Sequence, residues 1–194
     1  MSVPAKVSER AVAELVAQLG RMAYGDGFVD GLTPAQWTAL RYFSRANRFS
    51  RTVSAFADFH ATTRGTASQT VKSLVRNGYL TRERSEKDRR SVRLDLTDPS
   101  AALLSHDPFE GLVAAAGELS NTAHRVTSRG LEKMLYVLAK RNEKRAFGMC
   151  PSCKHFRSGG CLVGNAPNYR CALLNEPLTE VDIDKLCVNF LPAQ

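Results

Sequence analysis

Residues 64–78 decide how this chain folds: Arg64-Gly65-Thr66-Ala67-Ser68-Gln69-Thr70-Val71-Lys72-Ser73-Leu74-Val75-Arg76-Asn77-Gly78. Ala67, Val71, Leu74 and Val75 recur at the three- and four-residue steps of a helix with one apolar face, and Asn77-Gly78 ends it. The residues left facing outward are Arg64, Thr66, Ser68, Gln69 and Lys72. Long cations mixed with small hydrogen-bonding groups make a face suited to contact rather than burial.

Upstream, Val53, Phe56 and Ala57 predict a short helix joined to the first by a tight turn at 61–63. Downstream, 80–84 and 91–97 read as strands, the second with Val92, Leu94 and Leu96 inward and Arg93 and Asp95 outward. Between them, 85–90 form a polar hairpin tip. Helix, turn, helix and a basic-tipped hairpin is the order of a winged helix, a mainly α architecture with a small β-hairpin wing (α+β).

Further upstream, Thr33 can cap a helix, Pro34 suits its first turn, Gln36 completes a capping box and Leu32 can staple onto Trp37. Before it, Val12, Leu15, Val16, Leu19, Met22 and Ala23 form an amphipathic helix that runs into the Gly-rich stretch 25–31. Pro99 opens another helical stretch. Asp107-Pro108-Phe109-Glu110 reads as a fresh cap and predicts a break, after which helices continue to about Arg145.

Between Thr33 and Thr97 stand thirteen Lys or Arg against five acids, a local excess equal to the net charge of +8 of the whole chain. A concentrated positive field points to a polyanionic partner. From Gly148 onward, Lys154, Arg157, Arg170 and Lys185 are balanced by Glu176, Glu180, Asp182 and Asp184, so the tail is a poor polyanion site. No run of about 18 apolar residues occurs and Met1–Arg10 lacks the features of a signal peptide, so no membrane association and a cytoplasmic address are expected.

All five cysteines lie in that tail: Cys150-Pro151-Ser152-Cys153, then Cys161, Cys171 and Cys187. In a reducing compartment such a cluster points to metal or redox chemistry rather than to a disulfide framework. Four thiolates suit Zn2+ or an iron-sulfur cluster; zinc is preferred, and spacing does not choose. The preferred ligand set is Cys150, Cys153, Cys171 and Cys187, because Cys153 and Cys187 each precede a Phe by three residues (Phe156, Phe190). Cys161 and His155 are the substitutes. A segment this poor in apolar residues would depend on metal for its fold.

Leu32-Thr33-Pro34-Ala35-Gln36-Trp37, the stretch 65–78, and Asp88-Arg89-Arg90 followed by Leu94-Asp95-Leu96-Thr97 resemble the MarR family of transcriptional regulators over roughly 7–145. The resemblance implies a homodimer whose terminal helices interlock. On that basis 1–31 is an N-terminal dimerisation helix, 32–98 a winged helix-turn-helix DNA-binding domain, 99–146 the C-terminal dimerisation helices and 147–194 a cysteine-rich metal-binding extension. It further implies that Arg90 enters the minor groove and that Asp88 supports it. Lys87 and Arg89 join Arg64, Thr66, Ser68, Gln69 and Lys72 as candidate DNA contacts.

The function expected is therefore not catalytic: a dimer on double-stranded DNA at a pseudo-palindromic operator, modulated by the cysteine-held centre or by a small-molecule or redox effector. The competing reading is a cysteine-dependent redox protein that uses the winged helix as an interaction module. A protein-protein adaptor would leave the positive charge without a use.

Overall fold

A computed structural model describes residues 7–23, 29–84, 92–159 and 169–193. Residues 25–28 of the Gly-rich stretch, the hairpin tip with Lys87, Asp88, Arg89 and Arg90, and Cys161 lie outside the described residues.

The amphipathic start forms α1 (Glu9–Ala23), and α2 (Pro34–Arg45) begins as its capping residues predict. The Gln36 N–H donates to Thr33 Oγ1 at 3.2 Å, and the Gln36 side chain accepts from the Thr33 N–H at 2.8 Å. Leu32 and Trp37 are both buried, and the Trp37 indole donates to the Val29 carbonyl across a turn at Asp30-Gly31, both with positive φ. The entry angle of α2 is thereby fixed.

From α2, Trp37, Leu40, Tyr42 and Phe43 enter the core, where Phe56 of α3 (Val53–Phe59) and Ala67, Val71 and Leu74 of α4 (Arg64–Arg76) meet them. Tyr42 lies 5.2 Å from Phe43, 5.6 Å from Phe56 and 4.9 Å from Phe59, centroid to centroid. Its hydroxyl donates to the Ser50 carbonyl at 2.7 Å, so the one polar atom of the cluster is satisfied.

Strands β1 (Leu80–Arg84) and β2 (Val92–Leu96) pair antiparallel, Leu80 opposite Leu96 and Arg84 opposite Val92. The link between α2 and α3 lies against the far side of β2, with the Leu94 N–H donating to the Arg51 carbonyl at 2.9 Å. This contact corrects one expectation. Asp95 does not simply face solvent, because its carboxylate takes hydrogen bonds from both Arg51 and Arg93 and ties link to wing.

Three helices follow: α5 (Asp98–Leu104), α6 (Glu110–Gly117) and α7 (Asn121–Arg141). The expected break at Asp107 is present, but Asp107 is not the helix cap. Its Oδ1 accepts from the Phe109 N–H at 2.9 Å and from Arg41 at 2.6 Å, and α6 starts after Phe109 with no side-chain cap. A second break, capped by Ser120, separates α6 from α7. Helices α1, α6 and α7 bury no residue.

The tail contains strands that its sequence did not announce. β3 (Phe156–Ser158), β4 (Tyr169–Cys171) and β5 (Glu176–Leu178) form an antiparallel sheet in that order, and α8 (Glu180–Ile183) follows with a Thr179/Asp182 capping box. The tail packs on the winged helix. Val188 belongs to the main core and Phe147 stacks edge-on against Phe59 at 5.3 Å. The Leu186 N–H donates to the Arg45 carbonyl at 2.7 Å and its carbonyl accepts from the Asn47 N–H at 2.9 Å.

Burial pushes the Asp95 carboxyl up, but the hydrogen bonds from Arg93 and Arg51 outweigh it and hold the group below its ordinary 3.8. A depressed folded-state pKa means that this stabilisation is present above the unfolded value and is lost as pH falls through the folded one. The urea midpoint should therefore drop below about pH 4 more steeply in the native protein than in Asp95→Asn. Parallel midpoint curves would show that the Arg51–Asp95 tie contributes nothing.

Candidate functional site

Helix α4 starts at a Thr cap, with Thr63 Oγ1 accepting from the Thr66 N–H at 3.1 Å. Ala67, Val71 and Leu74 face the core, which leaves Gly65, Gln69, Lys72 and Arg76 as an exposed stripe at three- and four-residue steps. Arg64 and Thr66 are exposed beside it. Ser68 departs from expectation, because it flanks Ala67 and Val71 and is half-buried. The Thr66 hydroxyl is engaged with Thr63 at 2.9 Å, so Thr66 works within the cap. Arg76 was missed by reading only the N-terminal half of the helix, although its four-residue step from Lys72 was visible.

Not all of the positive charge counted in the sequence is free. Arg41 pairs with Asp107, Arg51 with Asp95, and Arg48 reaches Asp182 at 3.4 Å and Glu176 at 3.8 Å. These three are spent inward, two of them on carboxylates beyond the winged helix, in the helical region and the tail. Arg64, Lys72 and Arg76 of α4 are exposed, and so is Arg82 of β1. No acid lies on α4.

In the tail, Cys150 and Cys187 are buried, and Cys153 and Cys171 are half-buried. Cys150-Pro151-Ser152 is a 3-10 turn, closed by the Cys153 N–H donating to the Cys150 carbonyl at 2.9 Å. Cys153 and Cys187 each begin the same kind of turn, with the Phe156 N–H on the Cys153 carbonyl and the Phe190 N–H on the Cys187 carbonyl. Cys187 bridges to Gly148, where a Cβ would lie 2.6 Å from the Phe190 ring, and Cys171 pairs with Phe156.

Burial pushes the Cys150 thiol up to about 12, and Cys187, Cys153 and Cys171 each add to the rise. Burial also raises Cys187, against the pull of the Asn47 side chain and the Asn189 backbone N–H. Among the described residues, no three His, Cys, Asp or Glu side chains already form an ion cage. His155 is half-buried and contributes its carbonyl to the sheet by accepting from the Ala172 N–H at 2.8 Å.

Residues 30–91 match the model of the MarR family. That segment is the winged helix described above. The fold is similar to that of a MarR transcriptional regulator from Methanosarcina mazei Go1, at 22% identity, covering 68% of this chain and 99% of that one with a TM-score of 0.54. It is similar to S. aureus MepR in a complex with DNA (18% identity, 69% and 99% coverage, TM-score 0.55). The regulator BldR from Sulfolobus solfataricus is comparable at 21% identity, 68% and 97% coverage and TM-score 0.54. No curated protein sequence matches the chain. The Methanosarcina mazei and Sulfolobus solfataricus structures are of transcriptional regulators.

Thr63→Ala removes the side-chain acceptor that caps α4 and should cost about 1 kcal/mol, within the usual range of about 0.5–2 for such caps. Urea unfolding measures it, with the exposed Ser54→Ala as the control expected to stay within error. A Thr63→Ala protein as stable as the control would mean that the cap does not hold this helix.

Proposed function

We propose that this chain is a sequence-specific transcriptional regulator that binds double-stranded DNA as a homodimer at a pseudo-palindromic operator. The observation that carries the reading is the acid-free outer face of α4, with Arg64, Gln69 and Lys72 exposed, inside a segment that matches the MarR model. A helix of this kind fits the major groove, where Arg and Gln reach base edges and Lys neutralises a phosphate. Arg89 and Arg90, with Asp88 in support, are assigned to the minor groove beside it, and Lys87 is a further DNA contact.

A second copy is the natural cover for the helices that bury nothing. Leu15 is 57% exposed, Met22 72%, Val126 67% and Leu135 67%, far more apolar surface than one soluble subunit leaves open without a partner. Joined through these helices, two winged helices would meet half-sites about one helical turn apart. Among the described residues no helix is long and apolar enough to cross a membrane, in keeping with a proposed cytoplasmic site of action. Modulation by a thiolate-held metal, or by a small effector, is the finer part of the same proposal.

The redox alternative needs a thiol of lowered pKa. Burial drives both Cys150 and Cys187 the other way.

Binding to an operator selected from random duplexes should weaken steeply with salt, since each neutralised phosphate releases counterions. In fluorescence anisotropy, Lys72→Ala should reduce the slope of log affinity against log salt by about one, while Gln69→Ala and Arg64→Ala should relax sequence preference by about 1–3 kcal/mol at one position each. Arg90→Ala should lower affinity for all sequences alike. Salt-independent binding, or four variants indistinguishable from native, would remove the DNA reading. Leu135→Glu should sediment as a monomer and bind the operator poorly; a dimeric Leu135→Glu would move the subunit interface elsewhere.

A further inference from the structure

Asn47 is the link between the DNA-binding domain and the cysteines. It is 1% exposed. Its Oδ1 accepts from the Phe49 N–H at 3.2 Å and from the Ser50 hydroxyl at 2.8 Å, while its Nδ2 meets no hydrogen-bond acceptor. A buried amide donor left without an oxygen is costly, and few are found in native proteins. The Asn47 N–H on the Leu186 carbonyl, and the Ser50 hydroxyl shared between Asn47 Oδ1 and the Val188 N–H, hold this amide against 186–188, the segment that carries Cys187. A buried amide N–H without an oxygen has little use for a neutral thiol, which is a weak acceptor. It suits a thiolate, and a buried thiolate needs a cation.

We propose that Cys150, Cys153, Cys171 and Cys187 bind a soft metal centre through four thiolates, and that Asn47 of the α2–α3 link is the positioning residue that donates to the Cys187 sulfur. The backbone brings the four together by the Cys150–Cys153 turn, the Gly148–Cys187 bridge and the Phe156–Cys171 register. Among the described residues the side chains do not yet form a cage, and the ion would draw the four thiols together. Outer-shell donors of this kind fix a ligand's orientation and strengthen its bond to the metal. The centre is also fastened to the winged helix: the Val188 N–H donates to Ser50 Oγ at 2.8 Å, and Asn47 and Leu186 are joined through their backbones. The inference deepens the regulator reading by giving its modulating centre a ligand set and a contact to the DNA-binding domain. It is tested without DNA, so its failure and the failure of that reading are separable.

The full chain, purified without oxygen, should carry about one zinc per subunit, or iron with matching acid-labile sulfide and a brown colour. Protein with neither overturns the site. Cys171→Ser, at a half-buried position, should lose most of that content, and full retention overturns the ligand set. Asn47→Asp keeps an oxygen for Phe49 and Ser50 but replaces the N–H with a carboxylate oxygen. Its metal should be lost to a competing chelator with an affinity about 10- to 100-fold lower than native. In protein reconstituted with Co2+, the sulfur-to-cobalt charge-transfer band should shift. Asn175→Asp, on an exposed turn of the tail, should match native in both readouts. Native affinity and an unshifted band in Asn47→Asp overturn the role of Asn47.

Discussion

The backbone of 45–51 is gripped from two sides, and the rest of the molecule is arranged around that grip. On one side Arg45 and Asn47 exchange hydrogen bonds with Leu186; on the other, the Arg51 carbonyl accepts from Leu94 of the wing. Backbone polar groups of a buried link must find partners, since an orphaned one costs as much as a lost hydrogen bond. The core ring of Tyr42 enforces the same rule, its hydroxyl bound to the Ser50 carbonyl. One seven-residue link therefore sets the positions of α2, α3, the wing and the tail together.

Charge is divided along the same line. Arg41, Arg48 and Arg51 turn inward to carboxylates of three different segments, Asp107, Asp182 with Glu176, and Asp95. Partly buried pairs of this kind keep elements in register more than they add net stability, because desolvation offsets much of the attraction. Among the described residues the cations of α4 pair with no such carboxylate, and they are exposed. A residue's sign alone did not separate the two groups. Their depth in the fold does.

Much of the architecture was legible because local signals agreed. Thr33, Pro34 and Gln36 name a helix start by chemistry that acts within four residues, and Ala67, Val71 and Leu74 give the period of α4 directly. Asp107 was misread as a helix cap because its carboxylate is drawn to Arg41, a partner 66 residues away that no local pattern reveals. The strands of the tail escaped notice for a related reason. Each has three residues, too short for alternation to show. Asn47 gave no signal at all, since an asparagine in a basic link looks like a turn residue until its burial and its unpartnered amide are seen.

The late position of Val188 bears on how the chain matures. Synthesis is directional and domains tend to fold as they emerge, yet the core that Trp37, Tyr42 and Phe56 begin to assemble includes a side chain encoded more than a hundred positions later. While that residue is still in the ribosome, the nascent winged helix has an open seam beside Ser50, and its final closure waits for translation to reach the tail.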